Sequence, residues 1–289
     1  MFEYIRNVIF EIEKKSTDIS PQDILYSLRK TLGLGDFGEI MFSLPLKSYE
    51  NISKHLPSMA SEEIQNKWTG SSGVALLKQT CSFVRSVAYN YTKITGKSLE
   101  NASILDYGCG YGRIARLMYY FTSPDRLMGV DPWDRSIDIC HANGLGSLFR
   151  VSDYLPDDLP VDGRTFDFIY AFSVFTHLSE RATLKALAAS RRYINPAGVM
   201  VITIRPVEYW NFNQQAIGAS NVAPLEARHR SDGFAFSPHN RAPVDGDVTY
   251  GDTSMTTNWI SANVPGWKIA GIDRSIDDSL QIYVFLLPV

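Results

Sequence analysis

The chain has 289 residues, a formal net charge of −3, and 45% hydrophobic and 20% charged side chains. That length suits one large α/β domain, or a medium domain with an added piece, and the charge balance gives no electrostatic reason to expect nucleic acid as a partner. Cys81, Cys109 and Cys140 show no metal-type spacing, the opening residues lack a signal-peptide profile, and no apolar run approaches the ~18 residues of a membrane span. A cytoplasmic protein without a membrane span is the expectation.

Residues 1–98 read as a helical cap. Ile5, Val8, Ile9 and Ile12 fall at helical spacing. A second helix follows in SPQDILYSLRKTLG, where Ser20 can cap and Pro21 suits the first turn. The stretch LGLGDFGEI breaks periodicity and reads as a loop. A third helix is predicted over about 73–93. From Ser103 the texture changes: SILDY, RLMGVD, SLFRV, FDFIYAF and VMVITI are short apolar strands. Helical stretches at GRIARLMYYF, DRSIDICHAN and SERATLKALAASRRYI separate most of them, and NPAG (195–198) marks a turn before the last of these strands. Such alternation predicts a mostly parallel sheet covered on both faces. Residues 206–250 carry aromatic residues and prolines without clear periodicity and read as a lid or binding loop. WKIAGIDRS and LQIYVFLLP supply two final strands.

The stretch ILDYGCGYGR (104–113) sets Gly108, Gly110 and Gly112 at alternate positions after a strand that contains Asp106. This is either a tight turn or a cradle in which missing Cβ atoms let the backbone approach a ligand. The dinucleotide fingerprint GxGxxG puts its third glycine where Arg113 stands. An acid inside the first strand would also repel phosphates, so a nicotinamide dinucleotide is disfavoured.

LDYGCGYGR resembles the first motif of the class I S-adenosylmethionine-dependent methyltransferases, in which an acid precedes a GxGxG loop. The later core motifs follow in the family's order: Asp131 closing the second strand, Asp153 after the third, FDFIYAFSVFTHLSE at the fourth, and NPAGVMVIT before the fifth. The resemblance implies a Rossmann-like sheet with an antiparallel last strand, S-adenosyl-L-methionine as cofactor, and a cofactor site containing Asp106, Gly108, Cys109, Gly110, Gly112, Asp131, Asp153 and Phe172. Asp131 is expected on the ribose hydroxyls, as a two-oxygen acceptor for two donors. Trp133 either covers an adenine face or packs in the core. Trp68 and Ser71, in WTGSSG, either touch the methionine end or belong to helix capping.

Methyl transfer to an alcohol calls for a base. His177, just beyond the fourth strand, is the first candidate, with His229 and His239 behind it. Tyr209, Trp210 and His239 are candidate acceptor contacts. The histidines lack HxxxH or HxH spacing, so no metal is expected. The sequence lacks the (D/N)PP(Y/F) signature after the fourth strand, which lowers the odds of base N-methylation. The reading is O-methylation of a small molecule or saccharide by residues 99–289 under a lid at 206–250. N-methylation of an amino sugar or similar amine, and a non-catalytic cofactor-binding module, stay open. The sequence does not give the oligomeric state.

Overall fold

The computed structural model describes residues 2–15 and 19–289. Its strands follow the order β3-β2-β1-β4-β5-β9-β8 in a seven-stranded, mostly parallel sheet of the Rossmann-like kind, and a two-stranded ribbon is separate. The chain divides into two compact units, residues 1–88 with 98–151, and residues 89–97 with 152–289.

In the first unit, α1 (Glu3–Lys15) buries Ile5, Ile9 and Ile12, one stripe of a 3.6-residue period. Ser20 caps α2 (Pro21–Thr31) by accepting a hydrogen bond from the Asp23 amide. The loop expected at LGLGDFGEI is instead a helix, α3 (Leu34–Ser43). Its glycines have a packing reason: a Cβ on Gly38 would lie 2.6 Å from Leu77 Cδ1 and 2.9 Å from Leu117 Cδ1. Tertiary contact thus overrides a poor helical propensity. Then come α4 (Glu50–His55), α5 (Glu62–Thr69), ended by Gly70 in the left-handed region, and α6 (Gly73–Thr95), whose residues from Tyr89 on group with the second unit. The strands β1 (Ile104–Tyr107), β2 (Leu127–Asp131) and β3 (Phe149–Val151) pair in parallel. Helices α7 (Arg113–Met118) and α8 (Asp134–Ala142) connect them. Ile104, Leu105, Leu127, Met128 and Val130 are fully buried, as strands covered on both faces must be.

In the second unit, β4 (Phe166–Ala171) leads through α9 (Glu180–Tyr193), capped by Ser179, to β5 (Ile194–Ile204), its parallel partner. The expected turn at 195–198 lies within β5 as an irregularity: Phe166 pairs with Ile194, but Phe168 with Val199. The segment expected to be irregular holds α10 (Tyr209–Phe212), α11 (Gln214–Ile217), α12 (Ala219–Asp232) and β6 (Phe234–Pro238). Helix α12 hides from periodicity because it buries only Val222 and His229 and carries Pro224 inside. Strand β6 pairs with β7 (Gly251–Met255) as the separate ribbon. After α13 (Thr257–Asn263), β8 (Trp267–Arg274) and β9 (Ile282–Pro288) pair antiparallel, and β9 runs antiparallel to β5. Among the described residues no helix is long and apolar enough to cross a membrane.

Candidate active site

The glycine loop of the first unit is built from backbone. Gly108, Gly110 and Gly112 have φ of 73°, 53° and 74°, a region that costs other residues strain. The amides of Gly108 and Cys109 donate to Val130 O at 2.7 and 3.1 Å, which ties the loop to β2. Asp131 closes it: Oδ2 accepts from the Gly110 amide and Oδ1 from the Trp133 amide, each at 2.9 Å. Burial pushes the Asp131 carboxyl above its ordinary range, against the lowering effect of these amides and the Ser136 hydroxyl. Two amides and one hydroxyl leave capacity for a further donor on this carboxylate, so the residue fits a ribose hydroxyl. A Cβ on Gly110 would meet nothing within 4 Å, so the loop leaves open space where a cofactor backbone contact is expected. Asp106 and Cys109 are buried.

Trp133 is 38% exposed, so it is no core residue. Its indole stacks on that of Trp68, with centroids 4.7 Å apart and planes at 23°. The Thr69 and Tyr111 hydroxyls lie 3.4 Å apart, while Ser71 gives its carbonyl to the Thr69 hydroxyl at 3.1 Å. The WTGSSG stretch thus sits against the glycine loop. Sequence reasoning missed Arg116, which ties the glycine loop to Ser58. This fully buried guanidinium donates twice to Ser58 O, at 2.9 and 2.6 Å, and to Tyr111 O and Gly112 O, each at 2.7 Å. Its only sequence signal is a charge on an otherwise apolar helix turn. Asp153, exposed, and Phe172, half-buried with its ring 6.4 Å from Tyr283, belong to the second unit.

The second unit gathers side chains around a buried carboxylate. Asp252, on β7, accepts at Oδ1 from Tyr209 Oη (2.6 Å) and Arg205 Nη1 (2.8 Å), and at Oδ2 from His239 Nε2 (3.0 Å) and Asn213 Nδ2 (3.4 Å). Burial alone would raise this carboxyl, but the Tyr209 and His239 hydrogen bonds and the Arg205 charge hold it below the usual carboxylate range. Arg205 also covers the Tyr209 ring at 3.9 Å.

His177 is in the same cluster, with both nitrogens occupied. Nδ1 lies 2.8 Å from Gly251 O, an acceptor only, so Nδ1 carries the proton. Nε2 then accepts from Arg205 Nη2 at 3.2 Å. Burial, followed by the Arg205 charge, pushes His177 down to about 4. In this arrangement the lone pair of His177, the expected base, is directed at a guanidinium. His239 differs. Its side chain is 43% exposed, Nε2 is oriented by Asp252, and among the described residues Nδ1 has no hydrogen-bond partner.

Trp210, expected as an acceptor contact, lies inside the unit. It is fully buried among Tyr209, Val222 and Ala235, and donates Nε1–H to Ser254 Oγ at 2.8 Å. Ser254 in turn meets His229 Nδ1 at 2.8 Å, and burial pushes that histidine below its ordinary value. His229 is thus a core residue. Tyr209, 7% exposed, orients Asp252. Among the described residues no group of three His, Cys, Asp or Glu side chains can hold a metal.

Residues 104–198 match the family model described as a methyltransferase domain. No curated protein matches the chain in sequence. Among solved structures, it is similar to an S-adenosylmethionine-dependent methyltransferase from Clostridium acetobutylicum, at 12% identity and TM-score 0.49, over 78% of this chain and 97% of that one. It is also similar to the glycopeptide N-methyltransferase MtfA complexed with sinefungin, at 10% identity and TM-score 0.47, over 71% and 93%. A third is the magnesium protoporphyrin IX methyltransferase of Synechocystis with bound S-adenosylhomocysteine, at 12% identity and TM-score 0.46, over 74% and 87%.

Proposed function

We propose that this chain, whose residues 104–198 match a methyltransferase-domain family model, is a class I S-adenosylmethionine-dependent O-methyltransferase for a hydroxyl of a small molecule or saccharide, with His239 as the base. The observation that carries this reading is the His239–Asp252 pair, an accessible imidazole whose far nitrogen is fixed by a buried carboxylate at 3.0 Å. A carboxylate on Nε2 holds that nitrogen protonated and leaves the Nδ1 lone pair outward. Bound S-adenosylmethionine supplies a methyl group on a sulfonium, whose sulfur takes the bonding electron pair on transfer.

The remaining work belongs to the chain. His239 Nδ1 takes the hydroxyl proton as the oxygen becomes nucleophilic, and Asp252 stabilises the imidazolium that results. Arg205 keeps Asp252 ionised and His177 neutral, so one proton acceptor is presented to the acceptor. Gly108, Gly110, Gly112 and Asp131 are assigned to the cofactor, with Trp68, Ser71 and Trp133 beside them.

The test is a mass-spectrometric screen of alcohols, saccharides and amines for a gain of one methyl group, followed by variants on the best acceptor. His239→Asn is expected to lower kcat roughly 100-fold or more with unchanged S-adenosylmethionine affinity, and His177→Asn to lower it far less. Wild-type turnover in His239→Asn would sink the base assignment. Methylation of amines alone would replace O- by N-transfer.

A further inference from the structure

Beside His239 stands a cation without an acid. Among the described residues Arg241 makes no ion pair, whereas Arg205 is bound to Asp252 and Arg181 to Asp245. The acids on the same loop are also engaged, Asp245 by Arg181 and Asp247 by the Ser179 hydroxyl at 2.6 Å. Nothing in the cluster therefore neutralises Arg241.

Its position is nonetheless defined. The guanidinium carbon lies 4.1 Å from the centroid of the Tyr250 ring. The Tyr250 ring also stacks on His177, at 5.0 Å and 6°. The phenol ring thus contacts both the Arg241 guanidinium and the His177 imidazole. His239 meets the same ring at its edge, at 5.5 Å and 69°. The Arg241 amide donates to His239 O at 2.8 Å, which tightens the chain between them. An unpaired guanidinium and the open nitrogen of His239 thus border one aromatic ring.

We propose that Arg241 anchors an anionic group of the acceptor, so that the substrate class is a hydroxyl compound bearing a carboxylate or a phosphate. Stacking on Tyr250 restricts the long side chain before any ligand arrives, which reduces the entropy lost on binding. The planar fork keeps its in-plane N–H groups for two oxygens of the anion. Anchoring at Arg241 holds the rest of a small acceptor beside His239, which turns a chance encounter into a positioned one. This inference rests on the acceptor reading of the His239 site.

The test titrates inorganic phosphate, acetate and glucose, at fixed ionic strength, into nitrogen-15-labelled protein while Arg241 Nε and His239 ring resonances are followed. The expected result is a saturable shift with phosphate or acetate, none with glucose, and binding at least tenfold weaker in Arg241→Met. Tighter phosphate binding identifies a phosphate ester as acceptor, and tighter acetate binding a carboxylic acid. Arg241→Lys, which keeps charge but loses the fork, is expected between the two. No saturable shift in the wild type, or equal binding in Arg241→Met, overturns the anchor. His239→Asn separates the two ideas: anion binding kept with turnover lost supports both. Anion binding kept with wild-type turnover removes the base and spares the anchor. Turnover lost without any anion binding in the wild type removes the anchor alone.

Discussion

Around Gly108–Gly112 the first unit shapes its site with backbone: three glycines at positive φ, amides tied to Val130 O, and one carboxylate, Asp131, holding the loop. Around Asp252 the second unit uses side chains: Arg205, Tyr209, His239 and Asn213 converge on two oxygens. The first arrangement can bind a constant ligand and has little to titrate. The second is rich in exchangeable protons, and each bond depends on a particular side chain reaching a particular atom. On the proposed reading a fixed cofactor and a specific acceptor place different demands, and the two materials match them.

If the first site depends on backbone shape, its largest sensitivity is to a single added methyl group. Gly112→Ala would place Cβ 2.1 Å from Leu145 Cδ1 and 2.9 Å from Arg116 Nη1. Leu145 can rotate away, but Arg116 is held by four bonds to carbonyls. Strain at φ 74° adds to the overlap. Together they are expected to cost about 4 kcal/mol of unfolding free energy and to abolish S-adenosylmethionine binding. Urea unfolding and calorimetry measure the two losses. A fully stable Gly112→Ala protein would mean that the loop is malleable, and the contrast with the second unit would collapse.

If the second site depends on protons, stability should follow pH there. His177 titrates at about 4 in the folded protein, below the ~6.5 of an unperturbed imidazole. Between those values the unfolded chain holds a proton that the folded chain does not, so stability rises with pH across the interval and is flat above it. The expected difference between pH 4 and 6.5 is about 3 kcal/mol. His229, pushed down by burial as well, acts in the same direction, so urea unfolding of His177→Asn beside the wild type isolates the first contribution. An unchanged pH slope in that variant would show that His177 is not the buried neutral group described here.

The same contrast governs what could be read from the sequence. Conformational demands leave residue-type signatures, so the GxGxG loop, the acid closing β2 and the Ser20 cap were legible. Helix α3 was not, because its glycines answer to Leu77 and Leu117, which lie far away in sequence. Asp252 carried no signal at all: it sits in GDTSM, a polar strand whose buried side chains have hydrogen-bond partners from 178 to 239. His177 was found by its position after β4, but its tautomer depends on Gly251 O and Arg205. No spacing rule encodes that. Networks of side chains from separate elements become visible only once the chain is folded.

A smaller effect is expected deeper in the second unit. Ser254 accepts from Trp210 Nε1 and hydrogen-bonds with His229 Nδ1, and all three residues are buried. Ser254→Ala strands both partners at once and should cost about 2 kcal/mol. In Trp210→Phe the indole donor is gone already, so adding Ser254→Ala there should cost measurably less, a coupling that a double-mutant cycle reports. Additive losses would mean that the indole and the hydroxyl act independently.

The smallest stability change separates a cradle from a mere turn. Gly110 has φ of 53°, yet a Cβ built there meets nothing within 4 Å. Gly110→Ala therefore carries backbone strain of about 1 kcal/mol and no overlap. A glycine kept only for its turn would show that modest destabilisation and unchanged ligand affinity. A glycine kept so that a cofactor can approach the backbone would show the same destabilisation with S-adenosylmethionine binding weakened tenfold or more, because the new methyl group occupies the space the ligand needs. The two measurements on one variant thus decide whether the open space above Gly110 is a binding surface, which Gly112→Ala, damaging to fold and site together, leaves undivided.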